Sequence, residues 1–471
     1  MQLLSSLFLI IYSLAVVGTI VVIVTDNRNP LKTVPWIIVL LLAPVVGLVC
    51  YFFFGQNLSK QRIISRRTRR RVTAQLRSAD EAGCPAVPAQ WEPLSELLDN
   101  TMQAVPLYGS RITTYTDGRS KMEALCEAID AARDHIHLQY YIFSDDATGR
   151  DLRDRLIRKA REGVEVRILY DDVGCARVKK RFFKEMQRAG IEVYSFLHVQ
   201  FPLFTSKVNY RNHRKIAVID GRVGFLGGMN IADRYVHGPG WGTWRDTHFR
   251  IEGGGVAGLQ AAFLSDWSAT TKRPVTDARY YPETLHYADG ATMQIVAGGP
   301  FGKWRALLQG VSYAIASARE RVWIQTPYYL PSEVLNTALQ TAALAGRDVR
   351  LMLPERSDGR VVNLASHSFL DDMLKAGVKI DFYRPGFLHS KLLIVDDDLT
   401  VIGSSNMDFR SFEHNFEVNA FVYDRAFAER MAAIYEADER QCHAVTPNEW
   451  FRRPRRIRMA ESFLRLFAPL M

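Results

Sequence analysis

Two stretches of this sequence repeat one arrangement of histidine, lysine, aspartate, glycine and asparagine. They run from His213 to Asn230 and from His389 to Asn406, and they align without a gap. The matching positions are His213 with His389, Lys215 with Lys391, Asp220 with Asp396, Gly227 with Gly403, and Asn230 with Asn406. Because every polar position is kept, we interpret the pair as a duplication that brings two copies of one site together.

Each copy has the sequence pattern of a β-hairpin. Short β-branched runs flank a turn, and the Asp220-Gly221 dipeptide is a strong turn signal. A histidine and a lysine two positions apart point to the same face of a strand. The returning strand then brings the asparagine of each copy back beside its histidine. Each half is therefore expected to present an imidazole, an ammonium group and an amide in one patch.

Two such patches suit chemistry on a phosphodiester. Lysines and amides can hold the anion and stabilise the charge that grows in the transition state. One neutral imidazole can attack phosphorus and form a covalent intermediate. The other, protonated, can donate to the leaving alkoxide and then act as the base for an incoming alcohol or water. The division of labour is symmetric, which fits duplicated halves.

The pattern H-x-K-x4-D-x6-G-S-x-N, which the second copy matches fully and the first copy matches except for Gly228 at the serine position, resembles the signature of the phospholipase D superfamily. The wider context is similar to that of the bacterial cardiolipin synthases: two N-terminal apolar segments, GTWRDTHFRI around Asp246, and GSSNMDFRSFEHNFEVNAFVYD around Glu417. The resemblance implies an α/β fold. It consists of two tandem phospholipase D-like α/β/α halves related by pseudo-two-fold symmetry and preceded by two transmembrane helices.

The resemblance also assigns roles within the motifs. His213, Lys215, His389 and Lys391 are expected to be catalytic. The motif aspartates Asp220 and Asp396 are grouped with them, although their place at the hairpin turn favours a structural or at most indirect role. Asn230, Ser404 and Asn406 are expected to bind phosphate. Gly228 stands where the second copy has Ser404, so the first half lacks that hydroxyl and a backbone N–H is the alternative donor.

Two acids downstream of the motifs complete the predicted site. By the same resemblance, Asp246 is expected to orient His213, and Glu417 is expected to orient His389. Each would accept a hydrogen bond from the far ring nitrogen, which fixes the tautomer and raises the basicity of the imidazole. Surface ion pairing of these acids with nearby arginines is the alternative interpretation.

The activity that the resemblance implies joins two phosphatidylglycerols to give cardiolipin and glycerol. His213 would attack the first lipid and His389 would act as acid and then base, although the two assignments can be exchanged. No metal or cofactor is expected, because the lysines supply positive charge and the chain lacks a D-x-x-D-G pattern. Two alternatives remain open: a phospholipase D that uses water as acceptor, and an inactive lipid-binding scaffold.

Composition narrows the partners and the compartment. The chain has 471 residues, enough for two or three domains, and a net charge of +10, which favours an anionic partner. The five cysteines lack C-x-x-C spacing, so a disulfide framework or a zinc site is not indicated. We expect phosphatidylglycerol and anionic membrane lipids as partners, and no nucleic acid. A homo-oligomer is left open.

Two apolar runs precede the repeated halves. Residues 3–24 and 34–54 are each about the 20 residues that cross a bilayer, and the first lacks the basic start of a signal peptide. The basic cluster at 60–71 then predicts, by the positive-inside rule, a multi-pass protein of the cell membrane with its catalytic part on the cytoplasmic side. A nucleic-acid-binding arm is the competing interpretation.

Alternating strand and helix patterns predict an α/β sheet in each half. The C-terminal tail is rich in arginine and aromatic residues, and is expected to be a basic amphipathic segment on the membrane or a helix packed on its own domain. Tyr140, Tyr141, Tyr328, Trp241 and Trp244 are expected to line a lipid channel or to pack in the core. The predicted segments are 1–58 (two transmembrane helices), 59–106 (basic juxtamembrane segment and linker), 107–254 (first half), 255–294 (connection), 295–445 (second half) and 446–471 (tail).

Overall fold

The computed structural model describes residues 2–25, 30–51, 55, 71–73, 76, 86–198, 209–283, 285–301 and 303–471. The basic cluster predicted at 60–71 therefore lies, except for Arg71, outside the described residues. The chain divides into two compact units. The smaller contains residues 1–62, 199–210 and 301–303, and the larger contains 63–198, 211–300 and 304–471.

The N-terminal part of the smaller unit is helical where it is described. Its helices are α1 (Gln2–Thr25), α2 (Pro30–Leu42) and α3 (Pro44–Cys50). Ile23, Leu40 and Tyr51 form a small buried cluster, while Leu14, Leu42 and many other apolar side chains are exposed. Within the described ranges, no helix combines the length and the apolar character needed to cross a membrane. That finding does not support the two spans expected at 3–24 and 34–54.

A packed helix occupies part of the predicted linker. Helix α4 (Glu92–Met102) follows Trp91, and the side chains of Trp91, Leu94 and Leu98 are fully buried in the core of the second half. The Trp91 indole donates a hydrogen bond to Asp398 at 2.7 Å. The linker prediction is therefore wrong for residues 92–102. Their apolar side chains have helical spacing, which the neighbouring prolines obscured.

The first half follows the predicted alternation of strands and helices. Asp117 and Asp146 cap the first two helices, and Gly163 and Gly190 follow the second and third helices with positive φ. Its elements are β1 (Leu107–Tyr115), α5 (Gly118–Ala131), β2 (His135–Tyr140), α6 (Ala147–Arg161), β3 (Glu165–Asp171), α7 (Lys180–Arg188), β4 (Glu192–Phe196), β5 (Lys215–Ile219), β6 (Val223–Gly227), α8 (Asp233–His237), β7 (Thr243–Arg245) and β8 (His248–Glu252).

The connection and the second half repeat this order. A buried helix, α9 (Gly255–Thr271), and a 3₁₀ turn (Ala278–Tyr280) connect the halves. The second half contains β9 (Ala291–Gly298), α10 (Ala306–Ala316), β10 (Arg321–Gln325), β11 (Tyr329–Leu330), α11 (Glu333–Leu344), β12 (Asp348–Pro354), α12 (Arg360–His367), α13 (Leu370–Lys375), β13 (Lys379–Tyr383), β14 (Gly386–Leu388), β15 (Leu392–Val395), β16 (Leu399–Gly403), β17 (Met407–Asp408), α14 (Phe409–Glu413), β18 (Glu417–Tyr423), α15 (Arg425–Glu439) and β19 (Cys442–Ala444). The tail contains α16 (Pro447–Phe451), α17 (Arg455–Arg465) and a 3₁₀ turn (Ala468–Leu470).

One sheet runs through both halves. Among the described strands its order is β19-β13-β12-β10-β15-β16-β18-β9-β1-β8-β6-β5-β2-β3-β4. The first strands of the two halves, β1 and β9, are antiparallel neighbours at its centre. Outward from them, each strand of the first half in this sheet has its counterpart at the same place in the second half, and only the edge strand β19 is left without one. This mirrored order is the pseudo-two-fold relation expected of two tandem α/β halves.

Helices cover both faces of the sheet. On one face, α9 and α15 bury Phe263, Trp267, Phe427 and Tyr435 in a core to which both halves contribute. On the other face each half has its own core, around α5 to α7 in the first half and around α4 and α10 to α13 in the second. The two repeated motifs occupy β5, β6, β15 and β16 of this sheet and the residues directly before and after them.

Candidate active site

Two short parallel contacts bring the motif of each half against the other half. Strands β7 and β14 pair directly before Asp246 and His389, and the His389 N–H donates to the Arg245 carbonyl at 2.6 Å. In the mirrored position, Asn212 forms a parallel β-bridge with Phe416. The His213 N–H donates to the Phe416 carbonyl at 2.9 Å. Each histidine is therefore held beside the acid of the opposite half.

The side chains follow this crossed backbone arrangement. His213 Nδ1 lies 3.0 and 3.1 Å from the two carboxylate oxygens of Glu417. His389 Nδ1 lies 2.6 Å from Asp246 Oδ2. The predicted pairing of Asp246 with His213 and of Glu417 with His389 is therefore wrong. Both acids do contact a motif histidine, but each comes from the other half of the chain.

The difference between Gly228 and Ser404 has a steric cause. A Cβ atom at Gly228 would lie 2.1 Å from Asp246 Oδ1, so only glycine leaves room for that carboxylate. At the equivalent place in the second half, the Ser404 hydroxyl donates to Glu417 and accepts from the Val418 N–H at 2.9 Å. Ser404 thus holds the orienting acid, and its predicted contact with phosphate remains a prediction.

Backbone groups replace the missing hydroxyl in the first half. Asp246 Oδ1 accepts the Thr247 N–H at 2.8 Å, while the Gly228 N–H donates to the Thr247 carbonyl at 3.0 Å. The Gly228 N–H is therefore engaged with protein and does not serve as the substitute phosphate donor. Both orienting carboxylates are fully buried, and each is fixed by a partner besides its histidine.

The two motif lysines are buried beside their histidines. Lys215 Nζ donates to the His213 carbonyl at 2.6 Å, and Lys391 Nζ donates to the His389 carbonyl and lies 2.9 Å from His389 Nδ1. Burial lowers the pKa of Lys215 to about 7 and that of Lys391 to about 8, against the attraction of Glu417 and Asp246. A bound phosphate anion would restore the charged form of both amines.

The lysine of each half affects the pKa of the histidine in the other half. Burial lowers the pKa of His213 and, with the Lys391 ammonium, lowers the pKa of His389 to about 3. Lys391 also acts on His213, and Lys215 acts on His389, so the basic groups of both halves share one site. The side chains of His213 and His389 keep 13% and 9% exposure, which leaves their unbound nitrogens access to a substrate.

Two buried arginines contact the backbone of the orienting acids; sequence reasoning missed Arg214 and considered Arg245 only as a surface ion-pair partner of those acids. Arg214 pairs with Asp266 and donates from Nε to the Glu417 carbonyl at 3.1 Å. Arg245 donates from Nε to Asp438 at 3.0 Å. Its Nη1 donates to the backbone carbonyl of Asp246 at 2.7 Å. A sequence signal existed: an aspartate follows each orienting acid by some twenty residues, as in Asp266 and Asp438.

Aromatic rings surround the histidines unequally. Trp244, Phe387 and Tyr235 lie 5.1, 5.5 and 6.2 Å from the His389 ring, between ring centres. Tyr141 lies 5.1 Å from the His213 ring. Of the five aromatics that we singled out, Trp244 and Tyr141 contact the site directly. Trp241 and Tyr328 lie farther out, and Tyr140 packs in the core of the first half.

The motif asparagines are engaged with protein groups near the site. Asn230 accepts the Ile142 N–H at 3.0 Å and donates to the Tyr235 hydroxyl at 2.5 Å. Asn406 donates to Asp408 at 3.0 Å. These contacts fix the amides in position, and phosphate binding by them remains a prediction.

The motif aspartates lie away from the histidines, at the turns of the hairpins. Asp220 accepts backbone N–H groups of residues 133–135 at 2.8 to 2.9 Å, and Asp396 accepts those of residues 319–321 at 2.8 to 3.2 Å. Both have positive φ, which suits a tight turn. Their grouping with the catalytic residues is therefore corrected: they fix the hairpin against the loop before β2 or β10.

Comparisons with known proteins agree with the geometry of this site. A family profile described as "Cardiolipin synthase, PLD-like domain" matches residues 125–239 and 311–439, and one described as "Phospholipase_D-nuclease N-terminal" matches residues 14–56. Cardiolipin synthase 2 of Bacillus cereus is 40% identical, with 96% of this chain and 89% of the relative covered. The major cardiolipin synthase ClsA of Bacillus subtilis is 36% identical, with both chains fully covered.

A solved structure supports the fold independently. The phosphatidylserine synthase of Haemophilus influenzae superposes with a TM-score of 0.61 at 15% identity, covering 80% of this chain and 97% of that one. At this identity the likeness concerns the fold alone. Together with the paired motifs and the full-length relatives, these findings show that the chain belongs to the cardiolipin synthase family of phospholipase D-like proteins.

Proposed function

We propose that this protein transfers a phosphatidyl group from one phosphatidylglycerol to another, giving cardiolipin and glycerol. The observation that carries the proposal is the single site in which two buried His–Lys pairs are each oriented by the acid of the opposite half. The names of the full-length relatives support the choice of lipid. A two-histidine site is suited to a reaction in two displacement steps.

In the first step, His213 is the nucleophile. Its Nδ1 is held by Glu417, so the Nε2 lone pair attacks phosphorus and forms the N–P bond of a phosphatidyl-histidine. The bond from phosphorus to the glycerol oxygen breaks, and His389 gives its Nε2 proton to that oxygen. Burial and Lys391 lower the pKa of His389 in the free site, and the charge of the bound phosphodiester opposes this effect.

In the second step the roles of His389 reverse. Its neutral Nε2 takes the proton of the terminal hydroxyl on the second lipid, and the resulting oxygen attacks phosphorus. The N–P bond breaks and returns the electron pair to His213. Lys215 and Lys391 stabilise the charge on the phosphoryl oxygens in both steps, because both ammonium groups lie beside the reacting histidines.

We propose that the tail places this unit on an anionic lipid surface. Helix α17 packs inward through Glu461, which forms a bidentate ion pair with Arg453 at 2.6 and 3.1 Å. Its outward face exposes Met459 and Phe463, followed by Leu466, and arginines precede them. Apolar side chains next to cations suit the interface of an acidic membrane. We further propose the cytoplasmic side of the cell membrane, from the charge bias at 60–71.

Product analysis tests the proposed reaction. Purified protein would be given vesicles of phosphatidylglycerol alone, alongside the variants His213→Ala and His389→Ala. The control His443→Ala removes a histidine that pairs with Glu449 at the sheet edge. Cardiolipin and free glycerol from the wild type and the control only would support the proposal. Phosphatidic acid as the main product would make the protein a hydrolase, and turnover by the two histidine variants would exclude this site.

A further inference from the structure

A second cationic site lies beside the candidate active site. A cavity of about 570 Å³ opens between the loop before β7 and the segment from the end of β12 into α12. Two arginines make the cavity cationic, and a half-exposed tryptophan adds an aromatic surface. Its lining residues are Trp241, Glu355, Arg356, Ser357, Arg360 and Asn363.

The positive charge of this cavity is not neutralised from within. Glu355 pairs with Arg384 at 3.4 Å, so its carboxylate has its own counter-ion. Asp358 accepts the Tyr328 hydroxyl at 2.5 Å. Among the described residues, neither Arg356 nor Arg360 forms an ion pair with a carboxylate. Two exposed guanidinium groups without acidic partners are suited to bind a phosphate, which a guanidinium can contact through two N–H donors.

Several contacts connect the cavity to the His389 side of the active site. Tyr328, whose hydroxyl donates a hydrogen bond to Asp358, has its ring centre 6.3 Å from that of Phe387. The Phe387 ring centre lies 5.5 Å from that of His389. The carboxylate of Asp358 also contributes to the pKa of Lys391. On the opposite wall, Trp241 begins the short segment that leads to Asp246. The cavity is therefore a neighbour of the catalytic pair and lies on the side where His389 acts.

The reaction needs an anion site in this place. Both lipids carry a phosphodiester, and the catalytic histidines and lysines hold only the one that is transferred. In the second lipid, only a glycerol unit separates the attacking hydroxyl from its own phosphate. When that hydroxyl is at His389, the second phosphate must lie close by. Water and free glycerol carry no phosphate, so a cation here favours a lipid acceptor over both.

We propose that Arg356 and Arg360 bind the phosphodiester of the acceptor phosphatidylglycerol, with Trp241 packing against its headgroup. This assignment rests on the proposed transferase function. It makes the cavity the element that decides between transfer and hydrolysis. The donor half of the reaction does not need it.

The test compares Arg356→Gln/Arg360→Gln with a control of equal charge change, Arg425→Gln/Arg430→Gln on α15. Exchange of labelled glycerol into phosphatidylglycerol reports the donor half alone. We expect the first variant to keep that exchange within about twofold. Its cardiolipin formation should fall by about a hundredfold, since each charged contact contributes roughly a factor of ten, and phosphatidic acid should replace cardiolipin. The control should match the wild type.

Failure of this site and failure of the proposed function give different results. Unchanged cardiolipin formation in Arg356→Gln/Arg360→Gln would overturn the assignment. A wild type that neither exchanges glycerol nor forms cardiolipin would overturn the function itself. Calorimetry with glycerophosphoglycerol on His213→Ala protein gives a readout without turnover. We expect two bound equivalents, falling to one when both arginines are also replaced, and an unchanged stoichiometry would contradict the site.

Discussion

Replacing Glu417 by glutamine should disable His213, although the two residues belong to different halves. The carboxylate lies 3.0 and 3.1 Å from His213 Nδ1 and raises the pKa of that imidazole against its burial. A charge-assisted hydrogen bond contributes roughly 1.5–3 kcal/mol, or about ten- to a hundredfold in rate. Replacing the orienting acid of a catalytic triad by its amide costs about ten-thousandfold. We therefore expect cardiolipin formation to fall by at least about tenfold and by at most about ten-thousandfold.

Magnetic resonance of protein with ¹⁵N-labelled histidine identifies which ring responds. In Glu417→Gln, the pKa of His213 should fall further below its ordinary value, because the carboxylate that raises it is gone. The His389 resonances should keep their titration, since Asp246 remains at 2.6 Å. Spectra of His213→Ala and His389→Ala assign the two signals. Vesicle assays of the same preparations measure the rate.

Two matched variants make the comparison decisive. Asp246→Asn should give the mirrored result, with His389 perturbed and His213 unchanged. Glu449→Gln removes the acidic partner of His443 at the sheet edge, and should leave both catalytic rings and the rate unaffected. If Glu417→Gln shifted the His389 resonances and left those of His213 in place, the crossed arrangement would be refuted.

Three further predictions follow from the same geometry. Gly228→Ala should lower activity by about a hundredfold without unfolding the protein, because its Cβ would displace the Asp246 carboxylate. Ser404→Ala should lower activity by only about tenfold, because it removes one hydrogen bond to Glu417. Initial rates and thermal melts of both variants check these two expectations. The kcat/KM should decline from about pH 7 upward and more steeply above about pH 8, because Lys215 and Lys391, with pKa values of about 7 and 8, lose the charge that binds the anionic lipid; a profile that stays flat to about pH 10 would contradict it. Trp91→Ala should lower the free energy of unfolding by about 3–5 kcal/mol in denaturant titrations, a loss that a solvated linker residue would not show.

The sequence predicts the parts of the site that depend on local pattern. The turn signal after β5, the spacing of His213 and Lys215, and the alternation of strands and helices place both hairpins and the strands of each half correctly, but they predict a sheet in each half, whereas one sheet runs through both. These features are set by residues close in the chain, whose side-chain direction follows from the strand geometry. The two orienting acids, by contrast, were selected from the resemblance to the phospholipase D superfamily.

The crossed pairing could not be predicted in this way. It depends on the register between β7 and β14 and on a single bridge from Asn212 to Phe416. Such short contacts between halves leave no hydrophobic period in the sequence. Arg214 was hidden for a related reason: the motif treats it as a variable position, and its partner Asp266 lies far along the chain, on α9.

The proposed reaction passes through a covalent phosphatidyl-histidine on the first of the two motif histidines. Wild-type protein would be mixed with ³²P-labelled phosphatidylglycerol, quenched rapidly in alkali, digested and mapped. We predict label on the peptide that contains His213, labile to acid, and lost in His213→Ala. Label on His389 instead would reverse the two roles, and no labelled peptide at any quench time would contradict the covalent mechanism.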